Sequence, residues 1–399
     1  MHGTLRICAA IIGCAAPLLA QPVLPTATGQ GANRVLLHAA DAFSKAPAWT
    51  LGPRLAATAG AAAPDLTHAQ QVALLADGGF VVHSAIGRNF LHHFAANGQF
   101  VRSLARSGSG PGELIAPSGL AQLRGDTLVV IDGSPSRISW FTTRGFARSV
   151  AVPSSTHLEL WMIGALRTGA LVTRTAAFAL PRMKVPSRPL SDVWVVTPKG
   201  TAMQRIGSLP DFDFDAYPSR EKPGPVPQPV VFSRMGQVAA WDSLVVLGDG
   251  NGYALEVIGA DGASRYHVRV PHTRRAVTTA MREAARAQLL AMAGGSGTEG
   301  GLGGMLGAQR RPLPPAADSL PPYDALLTAL NGLLWVVDGR GPTDSNGGAT
   351  AFRADGAIVG RFTWSGNRVP LAFGADRVAM RETDNDGVVS VVIYRLQRR

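Results

Sequence analysis

The chain has almost no cysteine. Among its 399 residues, Cys8 and Cys14 are the two cysteines, and both lie in the first twenty residues. If that segment is removed on export, the mature chain has none. This excludes a disulfide framework and a cysteine nucleophile in the mature protein.

Charged residues are also scarce, at 16% of the chain, and the balance is basic, with a formal net charge of +11. Lysine occurs four times, at positions 45, 184, 199 and 222, so nearly all of the basic residues are arginine. A basic balance can indicate an acidic partner. An Arg-, Ala-, Gly- and Pro-rich composition is also what a GC-rich genome produces without any ligand. The absence of interleaved basic and aromatic residues argues against nucleic-acid binding.

The first twenty residues have the pattern of an export signal. Arg6 precedes the apolar run ICAAIIGCAAPLLA, and Gln21 follows a small residue. This pattern predicts cleavage near Gln21 and a periplasmic or extracellular protein. The run before Cys14 also resembles a lipobox, so a lipoprotein anchored through Cys14 is the alternative. No later segment has the unbroken apolar length of a membrane span.

Short strands and tight turns repeat along the rest of the chain. Gly79, Gly125 and Gly169 open equivalent strands at intervals of 46 and 44 residues. A period of about 45 residues with four strands per unit is typical of a β-propeller. Six such units can be traced within residues 47–399, and the last lacks one strand. The segment PAWTL, at 47–51, can supply that strand and close the ring. Residues 21–46 show no clear period and predict a flexible leader.

One unit carries a family resemblance. The run GSGPGEL at 108–114, the segment PSGLA at 117–121, and the strands LVVID and RISWF resemble a blade of six-bladed NHL-repeat propellers, and more broadly TolB-like secreted bacterial propellers. The resemblance implies an all-β, six-bladed β-propeller. It is strongest over this unit and weaker over the others.

An insertion, residues 272–322, separates the fourth and fifth units. Its first part has apolar residues three and four apart and predicts an amphipathic helix. A Gly-rich and then Pro-rich stretch follows. The insertion could pack on the propeller, or it could contact an acidic partner through its basic residues. For that second case the candidates are Arg274, Arg275, Arg282 and Arg286.

Polar residues end several of the predicted inner strands. These residues are His83, Asp132, Arg174, Asp249, Asp338 and Arg381. Equivalent strand ends in a propeller surround one mouth of the central channel, so this set is a candidate ligand site. The competing interpretation is structural, because Asp at a strand end commonly accepts backbone hydrogen bonds from the adjoining loop.

A metal enzyme is the main functional alternative. Lactonase-type propellers hold calcium with a Glu, Asn and Asp set, and related lyases hold zinc with several His. The histidines of this chain fall in different contexts, and its acidic loops lack the spacing and closing Glu of an EF-hand. We therefore predict no metal site and no cofactor, with Ca²⁺ as the alternative.

The sequence favours an exported, monomeric, non-catalytic binding or scaffolding propeller of the cell envelope. Its partner would be an unidentified envelope protein or a small ligand. The alternative is a divalent-cation-dependent hydrolase or lyase with its site at the channel, since the propeller fold hosts both kinds of function.

Overall fold

The computed structural model describes residues 21–59, 63–87, 89–133, 136–152, 160–175, 184–218, 225–295 and 315–399. Within these ranges the chain is mostly β-strand. The predicted export signal, with Cys8 and Cys14, lies outside the described residues, as does the 296–314 part of the insertion. Both stay predictions. No helix among the described residues is long and apolar enough to cross a membrane.

The segment after the predicted signal is ordered. It contains β1 (Thr26–Thr28), β2 (Val35–Leu37), the short helix α1 (Ala42–Lys45) and the long strand β3 (Ala48–Ala57). The structure thus differs from the flexible leader expected over residues 21–46. The reason is packing: Leu36, Ala42 and Ala46 are buried against the propeller, a role that an Ala- and Pro-rich composition does not reveal.

The first two sheets follow. The first contains β4 (Ala69–Leu74), β5 (Phe80–Ser84), β6 (Asn89–Phe94) and β7 (Phe100–Ser107), with the two-residue strand β8 (Glu113–Leu114) added in parallel. The second contains β9 (Pro117–Gln122), β10 (Leu128–Gly133), β11 (Ser136–Thr142) and β12 (Gly145–Ala151). The four main strands of each sheet pair antiparallel in chain order.

The third and fourth sheets repeat this arrangement. The third contains β13 (Leu160–Ala165), β14 (Leu171–Thr175), β15 (Leu190–Val196) and β16 (Met203–Pro210). A separate hairpin follows, β17 (Phe214–Pro218) with β18 (Pro225–Pro229). The fourth sheet contains β19 (Gln237–Trp241), β20 (Leu244–Gly248), β21 (Ala254–Gly259) and β22 (Ser264–Arg269), and β2 extends it by pairing with β22.

Helix α2 (Thr279–Gly295) lies between the fourth and fifth sheets in the chain, as the insertion pattern predicted. The fifth sheet contains β23 (Tyr323–Thr328), β24 (Leu334–Asp338), β25 (Asn346–Phe352) and β26 (Ile358–Ser365). The sixth contains β27 (Arg368–Phe373), β28 (Arg377–Thr383) and β29 (Val389–Arg398). Its fourth strand is β3, which pairs antiparallel with β29.

The six sheets form a closed ring. Their first strands, β4, β9, β13, β19, β23 and β27, contact one another in cyclic order, with β27 returning to β4. Six buried apolar layers fill the spaces between neighbouring sheets, one layer for each space. This is the architecture of a six-bladed β-propeller. Strand β3 therefore completes the last blade, as the PAWTL segment predicted.

Burial on both faces explains the apolar runs in the sequence. Adjacent strand residues point to opposite faces of a sheet. In β10, Leu128 and Val130 pack towards the first sheet, while Val129 and Ile131 pack towards the third. A strand between two neighbouring blades therefore needs an apolar residue at each position, and LVVID has that pattern.

The two ends of the blades differ. Short turns such as Asn97-Gly98 and Asn331-Gly332 join the first and second strands of each sheet, and the third and fourth strands of the first five sheets, all at one end. The longer connections lie at the opposite end, where first strands begin and second strands finish. We call this end the loop face. It carries the β17–β18 hairpin and α2.

Candidate functional site: the loop face around the channel

The six predicted strand-end residues occupy equivalent places on the loop face. All lie in or directly after the second strand of a sheet, which is one strand farther from the channel than the innermost strands. His83, for example, is opposite Gln71 of the first strand, and Arg381 is opposite Val369. The sequence pattern thus found the correct end of each blade, while the residues nearest the channel belong to the preceding strand. Whether the six bind a ligand stays a prediction.

Asp132 is used inside the fold. Its side chain is fully buried and accepts hydrogen bonds from the backbone N–H groups of Ile115, at 3.1 Å, and Ala116, at 2.7 Å. Arg137 lies 3.2 Å away and provides the compensating charge. The carboxylate therefore fixes the segment leading into β9. This agrees with the structural interpretation of a strand-end Asp.

Arg174 and Asp338 are also paired. Arg174 donates to the Gly236 carbonyl at 2.7 Å and forms a buried ion pair with Asp211. Asp338 accepts two hydrogen bonds from the Arg361 guanidinium, one of them at 2.8 Å. Burial alone would lower the pKa of Arg361, but its bonds to Asp338 and the charge of that carboxylate raise the pKa above its usual value. Both strand-end charges thus have partners within the protein.

Burial by the protein shifts the pKa of both His83 and Arg381. The imidazole of His83 is fully buried, and neither ring nitrogen has a hydrogen-bond partner. Burial lowers the pKa of His83 to about 4, so the ring is neutral near pH 7. Arg381 donates to the Ala69 carbonyl at 3.1 Å, and burial lowers its pKa. His83 is therefore enclosed within the blade, and Arg381 is tied to the start of the adjoining first strand.

Asp249 borders an open cleft. Its carboxylate accepts a hydrogen bond from the Asn251 N–H at 2.8 Å, which makes the turn after β20. The neighbouring cleft is small, with a cavity volume of about 60 Å³. Its lining includes Arg234, Asn251, Gly252, His272, Arg274 and Leu320. This side of the loop face, above the fourth and fifth sheets, is polar and basic.

The arginines of the insertion mostly contact the protein itself. Arg275 pairs with Asp344. Arg282 donates to the carbonyls of Ala316 and Ala317, at 3.3 and 3.1 Å. Arg274 donates to the Asn251 carbonyl at 3.1 Å. These contacts favour the packing interpretation for three of the four predicted partner-binding residues, and the fourth, Arg286, is exposed.

Helix α2 packs beside the loop that follows β24. Met281 and Ala285 are buried, and Met281 belongs to a small apolar cluster with Val277 and Leu320. A Cβ atom at Gly341 would lie 2.8 Å from the Met281 methyl carbon, so glycine permits this close approach. The start of the helix is thereby fixed next to the channel mouth.

Sequence reasoning missed Asp324, the second residue of innermost strand β23. Its side chain is exposed to solvent, and its carboxylate accepts a hydrogen bond from the Arg340 N–H at 2.9 Å. Protein atoms nonetheless surround it, because the innermost strands enclose the channel. This enclosure, and secondarily the charge of Asp338, raise the pKa of Asp324 to about 7. A charged residue inside the otherwise apolar run YDALL was the available signal.

Exposed apolar side chains are concentrated on the same face. Half of the exposed large apolar residues in the described ranges lie there: Ile86, Ile115, Trp161, Leu190, Val369 and Val388. They belong to the sixth, first, second and third sheets, opposite the basic cleft. The loop face therefore has an apolar side and a charged side around the channel mouth.

Metal-ligating groups are not assembled in the described part of the chain. No three His, Cys, Asp or Glu side chains lie there in an arrangement that could hold a metal ion. Asp338, for example, is instead paired with Arg361.

Comparisons with known proteins concern the fold. No protein-family model matches the chain, and no curated protein matches its sequence. Among solved structures, it is similar to a candidate exported protein from Bacteroides fragilis, at 10% identity and a TM-score of 0.48, covering 92% of this chain and 99% of the other. A gluconolactonase from Xanthomonas campestris matches at 14% identity and a TM-score of 0.46, covering 87% and 98% of the two chains. The calcium-binding protein regucalcin from Agrobacterium tumefaciens matches at 9% identity and a TM-score of 0.41, covering 89% and 97%. At these values the functions of those proteins are not transferred to this chain.

Proposed function

We propose that this protein is an exported, non-catalytic binding propeller of the cell envelope, and that its loop face binds a polypeptide segment of an envelope protein. The observation that supports this most directly is the group of exposed apolar residues on that face. They extend over four neighbouring sheets, which is broader than a small-molecule pocket. Exposed apolar residues gathered on one face of a protein are typical of protein interaction sites.

The environment of the strand-end residues supports binding rather than metal-dependent catalysis. Asp132, Arg174 and Asp338 are each held by an internal charge partner. A hydrolytic cation site would need several oxygen ligands facing one point. Diverting these carboxylates to a cation would leave Arg137 and Arg361 without a carboxylate partner. We therefore favour a binding protein over the lactonase-like alternative.

Finer assignments belong to this proposal as well. The resemblance of residues 108–145 to an NHL-type blade supports placing the chain with NHL-repeat or TolB-like propellers. The N-terminal apolar run supports export, with cleavage near Gln21 or lipidation at Cys14 as the two routes. We also propose that the mature protein is a monomer.

Capture of a partner by the mature chain, residues 21–399, tests the proposal. The wild-type protein should retain a specific envelope protein, and the purified pair should bind in isolation. The double variant Ile86→Lys, Val388→Lys should weaken that binding at least about tenfold, because it places two charges in the apolar part of the contact. Leu330→Lys is the matched control, since Leu330 is equally exposed, at 66% against 64% and 61%, but lies in a turn at the opposite end.

Equal loss of binding in the control, or full binding by the double variant, would contradict the proposal. A second measurement addresses the catalytic alternative. Elemental analysis of protein purified without chelator should find no stoichiometric calcium or zinc, and EDTA should leave the melting temperature unchanged. Bound metal together with lactone hydrolysis that EDTA abolishes would favour the enzyme.

A further inference from the structure

Charge is almost absent from the strands that surround the channel. The six innermost strands, with bounds as given above, contain two charged residues, Asp324 and Arg368. Arg368 is paired, since its Nε lies 2.5 Å from Oε1 of Glu382. Asp324 is thus the charge on these strands that lacks an ion-pair partner among the described residues.

The nearest cations have other bonding partners. The Arg340 guanidinium donates to the carbonyls of Arg368 and Asp344, at 2.8 and 2.9 Å, and Asp324 receives only the backbone N–H of that arginine. Arg275 pairs with the Asp344 carboxylate. Asp324 therefore keeps free hydrogen-bond acceptor positions, and of the neighbouring guanidinium nitrogens the buried Nε of Arg340 also has no partner.

Three charged groups face Asp324 from adjoining segments. Asp338, at the end of β24, opposes its ionisation, although Arg361 partly neutralises that carboxylate. Arg340 and Arg275 favour ionisation. Enclosure by the protein outweighs them, so that the pKa of Asp324 is raised to about 7. A carboxylate at a channel mouth that has no ion-pair partner gains from a cationic ligand, because the ligand supplies the opposite charge that the protein does not.

The equivalent positions in other blades carry no charge. The second residues of the five corresponding strands are Gln70, Ser118, Trp161, Val238 and Val369. One carboxylate with neutral neighbours does not provide the six to eight oxygen ligands of Ca²⁺. It suits a single positive charge.

We propose that Asp324 is the counter-ion for a primary ammonium group that enters the channel mouth from the loop face. The inference rests on the proposed function: the ammonium belongs to a lysine side chain or free amino terminus of the bound polypeptide. The apolar residues of the sixth, first, second and third sheets then contact the remainder of that segment.

Titration of Asp324 tests this directly, with methylammonium as the probe. The ¹³C carboxyl signal of Asp324 is followed against pH in methylammonium, tetramethylammonium and sodium chloride at equal ionic strength. Asp324→Asn identifies the signal by its loss, and Asp324→Glu does so if the first variant does not fold. Methylammonium should lower the titration midpoint by at least about 0.5 pH unit relative to sodium. Tetramethylammonium, which has no N–H donor, should lower it less.

Identical midpoints in the three salts would overturn the inference, and an equal effect of the two ammonium ions would overturn the assignment to a primary ammonium. The partner-capture experiment is independent of this result. Suppose that capture depends on Ile86 and Val388 but methylammonium has no effect. The proposed function is then supported, and the ammonium site is contradicted. A methylammonium effect without partner capture by the loop face would support the ammonium site and contradict the proposed function.

Discussion

Arg174 and Asp211 form an ion pair that is almost completely removed from solvent. Nη2 of Arg174 lies 3.3 Å from Oδ1 of Asp211, and the two side chains are 5% and 1% exposed. Ser191 donates to the other carboxylate oxygen at 2.5 Å. Removing one partner of such a pair leaves a buried charge without compensation.

Arg174→Met should therefore lower the free energy of unfolding by about 3 to 5 kcal/mol. Arg205→Met is the matched control in the same sheet, because Arg205 pairs with Asp192 at 2.7 Å but the two side chains are 51% and 37% exposed. Its loss should be below about 1 kcal/mol. Urea unfolding of the two variants gives the comparison. Similar losses of unfolding free energy in the two variants would show that burial of an ion pair does not determine how much the pair stabilises this protein.

Two Asn-Gly turns give a second matched comparison. Gly98 and Gly332 have φ of +85° and +83°. A Cβ atom at Gly98 would lie 1.9 Å from the Ala57 carbonyl oxygen, whereas one at Gly332 would have no neighbour within 4 Å. Gly332→Ala should cost about 1 to 2 kcal/mol from backbone strain alone. Gly98→Ala should cost clearly more, since it also displaces β3.

Thermal or urea unfolding of both glycine variants measures the difference. Equal destabilisation would mean that β3 moves aside without cost, and that its contact with the first sheet contributes little to closing the ring.

The raised pKa of Asp324 predicts a pH-dependent stability. An unfolded chain ionises this carboxyl near its usual value of 3.8, whereas the folded chain does so at about 7. The stabilisation that comes from keeping this carboxyl protonated in the folded chain is fully present below about pH 4. It is lost, and the free energy of unfolding falls, as the pH rises through 7. Asp324→Asn should raise the melting temperature relative to wild type increasingly between pH 5 and 8.

Asp376→Asn is the control for that series, because Asp376 is exposed and paired with Arg395. A melting-temperature difference for Asp324→Asn that stays constant from pH 5 to 8 would contradict the shifted titration.

Acid should destabilise the first sheet through His83 and His92. Burial lowers the pKa of both imidazoles to about 4, below the usual 6.5. The unfolded chain thus binds these protons first, and stability falls as pH drops from about 6.5 towards 4. For His83 the loss is on the order of 3 kcal/mol.

His83→Leu should remove much of this acid sensitivity, as measured by urea unfolding at pH 7 and pH 5. His68→Leu, at an exposed position, should keep the wild-type dependence. An unaltered pH dependence in His83→Leu would mean that another group controls acid unfolding.

The blades could be read from the sequence because their signals are local. Turns such as Asn97-Gly98 and apolar runs such as LVVID depend on neighbouring residues alone. The closing role of PAWTL followed from counting strands. The order of residues 21–46 could not be read, because it depends on pairing of β2 with β22, more than 200 positions away.

The candidate site was predictable to the level of the blade end. Polar strand ends marked the loop face, but their partners, such as Asp211 for Arg174, lie on other strands and have no sequence signature. Asp324 was overlooked because its importance comes from being the unpaired charge on the innermost strands. That property depends on how all six strands meet.

The pairing of β3 with β29 sets an order of events during biosynthesis. The sixth sheet contains one strand from the beginning of the ring and three from its end. A nascent chain must therefore hold β3 without its antiparallel partner until the last strand has been made. Through that interval the sixth and first sheets lack their shared core layer. Before β29 is made, β3 can pair only in parallel with β26, so the ring closes last, at the sixth sheet.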